Sequence, residues 1–159
     1  MKIGWKAAAA AGLMFVAFAA EAQEFKAGDL TIERVWARPT AGPNKMGAAY
    51  LTLKNGGKEA DTLQSASSPD ADKVEVHEHI HDNGVMRMRK VEGGVAIPAG
   101  GTVAFQPGGY HIMLMGLKHD LEDGKTMPMT LSFAHAGSVD VQVKVERKPA
   151  DSGGQEHNH

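Results

Sequence analysis

Residues 74–91 read VEVHEHIHDNGVMRMRKV. Asn83-Gly84 is the strongest hairpin signal in the chain, because both residues tolerate the positive φ of a type I′ turn. Polar and apolar residues alternate with a period of two on either side, as they do on strands. A two-residue loop pairs Asp82 with Val85, so His81 faces Met86, His79 faces Met88 and His77 faces Lys90. Histidines and methionines then share one face of a hairpin.

Outward from this hairpin the pattern repeats. Short runs rich in Val, Ile, Thr and Tyr are punctuated by Gly, Pro, Asn and Asp, which predicts strands at 30–38, 47–54, 62–67, 73–81, 85–91, 102–105, 111–117, 126–133 and 139–147. No long stretch carries a helical period, and no internal repeat is visible. So many short strands in one domain imply an all-β protein, an antiparallel sandwich with Greek-key connections.

The strand HIMLMG, residues 111–116, repeats the chemistry of the hairpin, with His111, Met113 and Met115 on one face and Ile112 and Leu114 on the other. Pro107-Gly108-Gly109 just before it allows backbone or ligand to approach closely. Two His/Met faces brought together by a sandwich make a metal site. Imidazole with thioether favours a soft ion, and thioether selects Cu(I). Zn(II), Ca(II) and Mg(II) call for thiolate, carboxylate or carbonyl donors instead. Taken singly these residues have plainer readings, since methionine fills cores well and a histidine row can be the solvated face of an edge strand. The coincidence of two such faces shifts the balance towards metal. Met127 and Met129 are expected in the core, and His119 and His135 as surface or core histidines.

Composition narrows the classes. The chain has 159 residues and no cysteine, which removes disulfides, thiolate nucleophiles, CxxC redox chemistry and the cysteine ligand of blue-copper sites. Residues 1–22 have Lys2 and Lys6 ahead of an apolar run and end on Ala20-Glu21-Ala22, the pattern of a secretory signal peptide with an A-x-A cleavage site. No stretch approaches the roughly 20 apolar residues that a membrane span needs. The exported domain is expected at 23–147, followed by a polar, flexible tail at 148–159. Removing two of the 17 basic and one of the 19 acidic residues with the leader leaves a net charge of −3, which offers nothing to nucleic acid. In the tail, QEHNH presents His157 and His159 as a loose Cu(II) site, against the plainer reading of a disordered polar end.

An enzyme is disfavoured. Cleavage after Ala22 leaves Gln23, not the N-terminal histidine of a copper monooxygenase brace, and no G-x-S-x-G surrounds a serine.

WARPT (36–40), GAAYLTLKN (47–55), the hairpin stretch and PGGYHIMLMGL (107–117) resemble the PCu(A)C family of periplasmic copper chaperones across nearly the whole exported chain. That family's motif is a His, ten residues, a Met, about twenty-one residues, then His-x-Met. Ten residues separate His77 from Met88 here, and 22 residues lead to His111-Ile112-Met113, one more than the family spacing, which an extra residue in the 93–101 connection absorbs. The resemblance implies a cupredoxin-like sandwich with His77, Met88, His111 and Met113 as Cu(I) ligands. Strand pairing by itself puts His79, not His77, opposite Met88, so His79 stands as the alternate first ligand. The resemblance further implies a periplasmic carrier that hands Cu(I) to a respiratory oxidase subunit or to another copper-handling assembly protein. A monomer is expected. The rivals are a copper buffer without specific delivery and an adhesion-like sandwich with incidental histidines.

Overall fold

A computed structural model describes residues 23–43 and 45–147. The expected signal peptide and the tail with His157 and His159 lie outside the described residues. Eleven strands make up the described chain, with no helix among them: β1 Phe25–Ala27, β2 Leu30–Ala37, β3 Met46–Asn55, β4 Asp61–Ser67, β5 Ala71–Asp82, β6 Val85–Lys90, β7 Val95–Ile97, β8 Thr102–Ala104, β9 His111–Leu117, β10 Thr126–Phe133 and β11 Gly137–Val145.

All nine expected strands are present, two with the expected ends and the rest with ends shifted by at most two residues. The two that alternation did not reveal, β1 and β7, are three residues long. A period of two is not visible over so few residues.

The strands pair in the order β6-β5-β9-β3-β2-β11-β10-β4-β7, with β1 added on β2 and β8 on β3. Every pairing is antiparallel except β11 with β2, where Lys144 lies opposite Trp36 and Val145 opposite Ala37. That parallel junction joins two antiparallel halves into a mixed sheet that folds on itself as a sandwich. In β2 the register with β3 shifts between Glu33 and Trp36, and Arg34 has φ 54°, the marks of a bulge that bends the strand.

One core fills the sandwich. Ile32, Leu53, Leu63, Ile97, Ile112, Leu114, Leu131 and Val143 are 0 % exposed and belong to one buried cluster. Met127 and Met129 join it as expected, each 1 % exposed, while His119 and His135 are exposed. With about 25 cal/mol gained per Å² of apolar surface removed from water, this cluster is what holds the two halves together.

The hairpin forms as its turn chemistry requires. Asn83 and Gly84 have φ 50° and 79°, and the register runs from Asp82 opposite Val85 to His77 opposite Lys90. β5 is longer than β6 and pairs on its other side with β9, His77 lying opposite His111 and Glu75 opposite Met113. β7 pairs with β4 at the opposite end of the strand order from β6. The longer connection between the two halves of the motif therefore leaves the ligand strands in register.

Candidate metal centre

Register alone assembles the site. On the β5–β9 junction, Glu75, His77, His111 and Met113 share one face, and β6 adds Met88 opposite His79 on the same face. The other face of β9 is the core, because Ile112 and Leu114 are 0 % exposed. β9 is thus covered on both sides, and His111 and Met113 are 4 % and 8 % exposed. Met88, on the edge strand, is 47 % exposed. The candidate ligands are therefore graded from a buried end to an open one.

The donor atoms converge. His111 Nε2 lies 3.1 Å from Met88 Sδ. On its other side His111 Nδ1 is 3.4 Å from the carbonyl oxygen of Gly109. A carbonyl only accepts, so a neutral ring that donates there carries its proton on Nδ1 and turns a bare Nε2 lone pair towards the sulfur. Two lone pairs aimed at the same place are what a soft cation bridges.

Burial lowers the pKa of His111, outweighing the Gly109 carbonyl that favours the charged ring, and His79 and His77 press it the same way as burial. The lowered pKa favours the neutral ring, the form that metal ligation would require.

The neighbouring histidines are placed to join it. The rings of His79 and His111 stack with centroids 5.1 Å apart, and those of His77 and His111 are 5.9 Å apart at 45°. With metal–nitrogen bonds near 2.0 Å, two imidazoles on one ion place their centroids about 5 to 6 Å apart. Nδ1 of His77 and Nδ1 of His79 are both buried without a hydrogen-bond partner. A buried polar atom left unpaired costs free energy unless something binds it.

Glu75 explains the state of His77. Its Oε2 accepts from His77 Nε2 at 2.8 Å, which fixes the proton on Nε2 and frees Nδ1 as the donor. The carboxylate also pairs with Lys73 at 2.8 Å and Lys90 at 3.3 Å. The Lys73 hydrogen bond first, then those of His77 and Lys90, bring its pKa from 4.5 down to about 2 against a smaller opposing effect of burial. Glu75 was missed by reading for ligand types, yet strand alternation places it on the face of His77 two residues away.

Among the described residues, no three histidine, cysteine or carboxylate side chains form a metal-holding cluster by themselves. A donor set on this face would need the thioethers of Met88 and Met113 as well. The glycines before β9 act differently from expectation: Gly108, at φ 88°, is needed for the turn, whereas a Cβ at Gly109 meets only ordinary contacts, the nearest at 3.6 Å. What Gly109 supplies is its carbonyl, which accepts from both His111 Nδ1 and the His79 amide at 3.3 Å.

The LpqE-like family matches residues 30–145, from the first residue of β2 to the last of β11. The chain belongs to that family. This LpqE-like protein is 36 % identical over 121 residues to "Putative lipoprotein Lxx21020" of Leifsonia xyli subsp. xyli, covering 76 % of the chain and 72 % of the relative. It is 37 % identical over 113 residues to "Uncharacterized protein RP573" of Rickettsia prowazekii, covering 69 % of the chain and 62 % of the relative.

Among solved structures, the LpqE-like chain is similar to the copper-bound PCuAC domain from PmoF2, with TM-score 0.67 and 25 % identity, over 79 % of this chain and 99 % of that one. It is also similar to the CuI form of DR1885 from Deinococcus radiodurans, with TM-score 0.58 and 31 % identity, over 81 % of this chain and 84 % of that one. The kinship with PCu(A)C domains and the cupredoxin-like sandwich expected from the sequence are borne out.

Proposed function

We propose that this protein is a periplasmic carrier of Cu(I), holding the ion as cargo on His77, Met88, His111 and Met113 and delivering it for assembly of a respiratory oxidase copper centre, directly or through another copper-handling protein. The observation that carries this reading is the approach of Met88 Sδ to His111 Nε2, 3.1 Å apart, beside the unpartnered, buried Nδ1 of His77. Copper-bound and CuI structures of similar domains support the choice of metal. Four neutral donors suit a monovalent ion, and thioethers suit its softness. His77 is favoured as first ligand because Glu75 fixes its tautomer, and His79, stacked on His111, is the alternate. The function is carriage, not catalysis: buried donors hold the ion while the exposed Met88 is the ligand an acceptor can displace.

The test is a Cu(I) competition titration under reducing, oxygen-free conditions on the parent and on the Met88→Ala/Met113→Ala variant, with X-ray absorption to count sulfur ligands. One tight equivalent whose sulfur scattering vanishes in the variant is expected. Equal affinity in both proteins overturns the assignment. A buffer uses the same ligands, and transfer to the soluble copper-binding domain of an oxidase subunit separates the two.

A further inference from the structure

The hairpin carries His/Met pairing beyond the four ligands. β5 pairs with β9 only as far as His77, so residues 78–82 of β5 and the facing part of β6 extend past the end of β9. On that extension His81 lies directly opposite Met86, on the face that carries His79 and Met88. Both side chains are open to solvent, Met86 to 51 %. Neither belongs to the buried core, so packing gives no reason for methionine here. Among the described residues only Met46, Val85, Met86 and Met88 are large hydrophobics this exposed, and two of the four are β6 methionines opposite a histidine.

We propose that His81 and Met86 form an outer Cu(I) site, a staging pair through which the ion enters and leaves; the proposal rests on the reading of the inner quartet as a Cu(I) cargo site. One imidazole and one thioether suffice to hold Cu(I) weakly, and weakness is what a staging site requires. Positions two apart on a strand are about 7 Å apart, and diagonal neighbours across a pair lie within reach of long side chains. Donors of adjacent rungs therefore share the ion during exchange, and each incoming ligand binds before the outgoing one leaves. No oxidation or reduction is involved; the ion changes ligands only.

Charge gives the path a direction. At the other end of this face Lys73 and Lys90 stand on either side of the single carboxylate of Glu75. A cation approaching there meets a net positive group, whereas at the tip Asp82 is paired with Arg87 at 3.8 Å and neither of those lysines stands on the His81/Met86 rung. Arg87 and Arg89 lie on the opposite face by alternation.

The experiment is a titration of the full exported chain with Cu(I), in ascorbate and without oxygen, followed through the 13C-methyl resonances of its methionines. Met127 and Met129 in the core serve as silent references, and Met46, 44 % exposed and opposite Met115 with no imidazole across from it, reports non-specific thioether binding. The first equivalent is expected to shift Met88 and Met113, and the second to shift Met86. The second shift is expected to be lost in His81→Ala. A second equivalent that leaves Met86 unmoved, that moves Met46 equally, or whose effect on Met86 survives His81→Ala overturns the outer site. A first equivalent that misses Met88 and Met113 overturns the inner quartet and the relay with it, a pattern distinct from loss of the Met86 response alone.

Discussion

Replacing Glu75 separates the ligands from what orients them. The carboxylate touches no metal-facing atom, yet it accepts the Nε2 proton of His77 at 2.8 Å and neutralises Lys73 and Lys90 at 2.8 and 3.3 Å. Glu75→Gln keeps an acceptor for His77 and removes the charge, so two ammonium groups lose their counter-ion beside an incoming cation. Glu75→Ala also frees the ring to move its proton to Nδ1, where it blocks the donor. Supporting groups of this kind are worth about 10- to 100-fold in metal affinity, so Glu75→Gln is expected near the lower figure and Glu75→Ala near the upper. Cu(I) competition titration reads the affinity, and 15N chemical shifts of the imidazoles read the tautomer. Parent-like affinity in Glu75→Ala, with His77 still protonated on Nε2, refutes the reasoning, because the carboxylate would then be setting neither the ligand state nor the local charge.

The charge state of the same face and the packing behind it make three further predictions. Glu75 has its folded pKa lowered from 4.5 to about 2, so its contribution to stability is present above the upper value and lost as pH falls towards the lower. Chemical denaturation should show that loss between about pH 5 and about pH 2, and Glu75→Gln should flatten that limb. His111, whose folded pKa lies below 6.5, adds a decline that begins as pH falls through that value, since the unfolded chain takes up a proton the buried ring refuses. His111→Gln should remove that decline, and a parent-like pH profile in this variant would show that the ring is not the cause. Behind the site, Leu114 is 0 % exposed, and Leu114→Ala is expected to cost about 2–5 kcal/mol in a denaturant midpoint measurement, with Cu(I) stoichiometry retained in whatever fraction stays folded. A loss under about 1 kcal/mol would mean that the core is not what fixes β9.

The site was legible where its causes are local. Asn83-Gly84 sets a turn, the turn sets a register, and the register places His79 opposite Met88 and His77 opposite Lys90, all within one segment of eighteen residues. The same period of two assigned Met113 to the face of His111 and Leu114 to the opposite one. Short strands escaped for the converse reason: β1 and β7 exist because β2 and β4 offer edges to pair with, and three residues carry no pattern that says so. Glu75 was hidden because an acidic residue on a strand next to lysines reads as surface charge. Only the 2.8 Å hydrogen bond along one face of β5 makes it a support for His77.

The sequence by itself determined the all-β class, the hairpin and its register, the alternation that separates core from ligand face, and a donor set without thiolate. These follow from covalent geometry and from residue spacing, which act at short range. Only the tertiary structure decided that β9 lies beside β5 with His111 opposite His77, that His111 and Met113 are buried while Met88 is open, and that β2 and β11 run parallel. Those relations join residues distant along the chain. They are set by burial of one shared core, which no local pattern encodes.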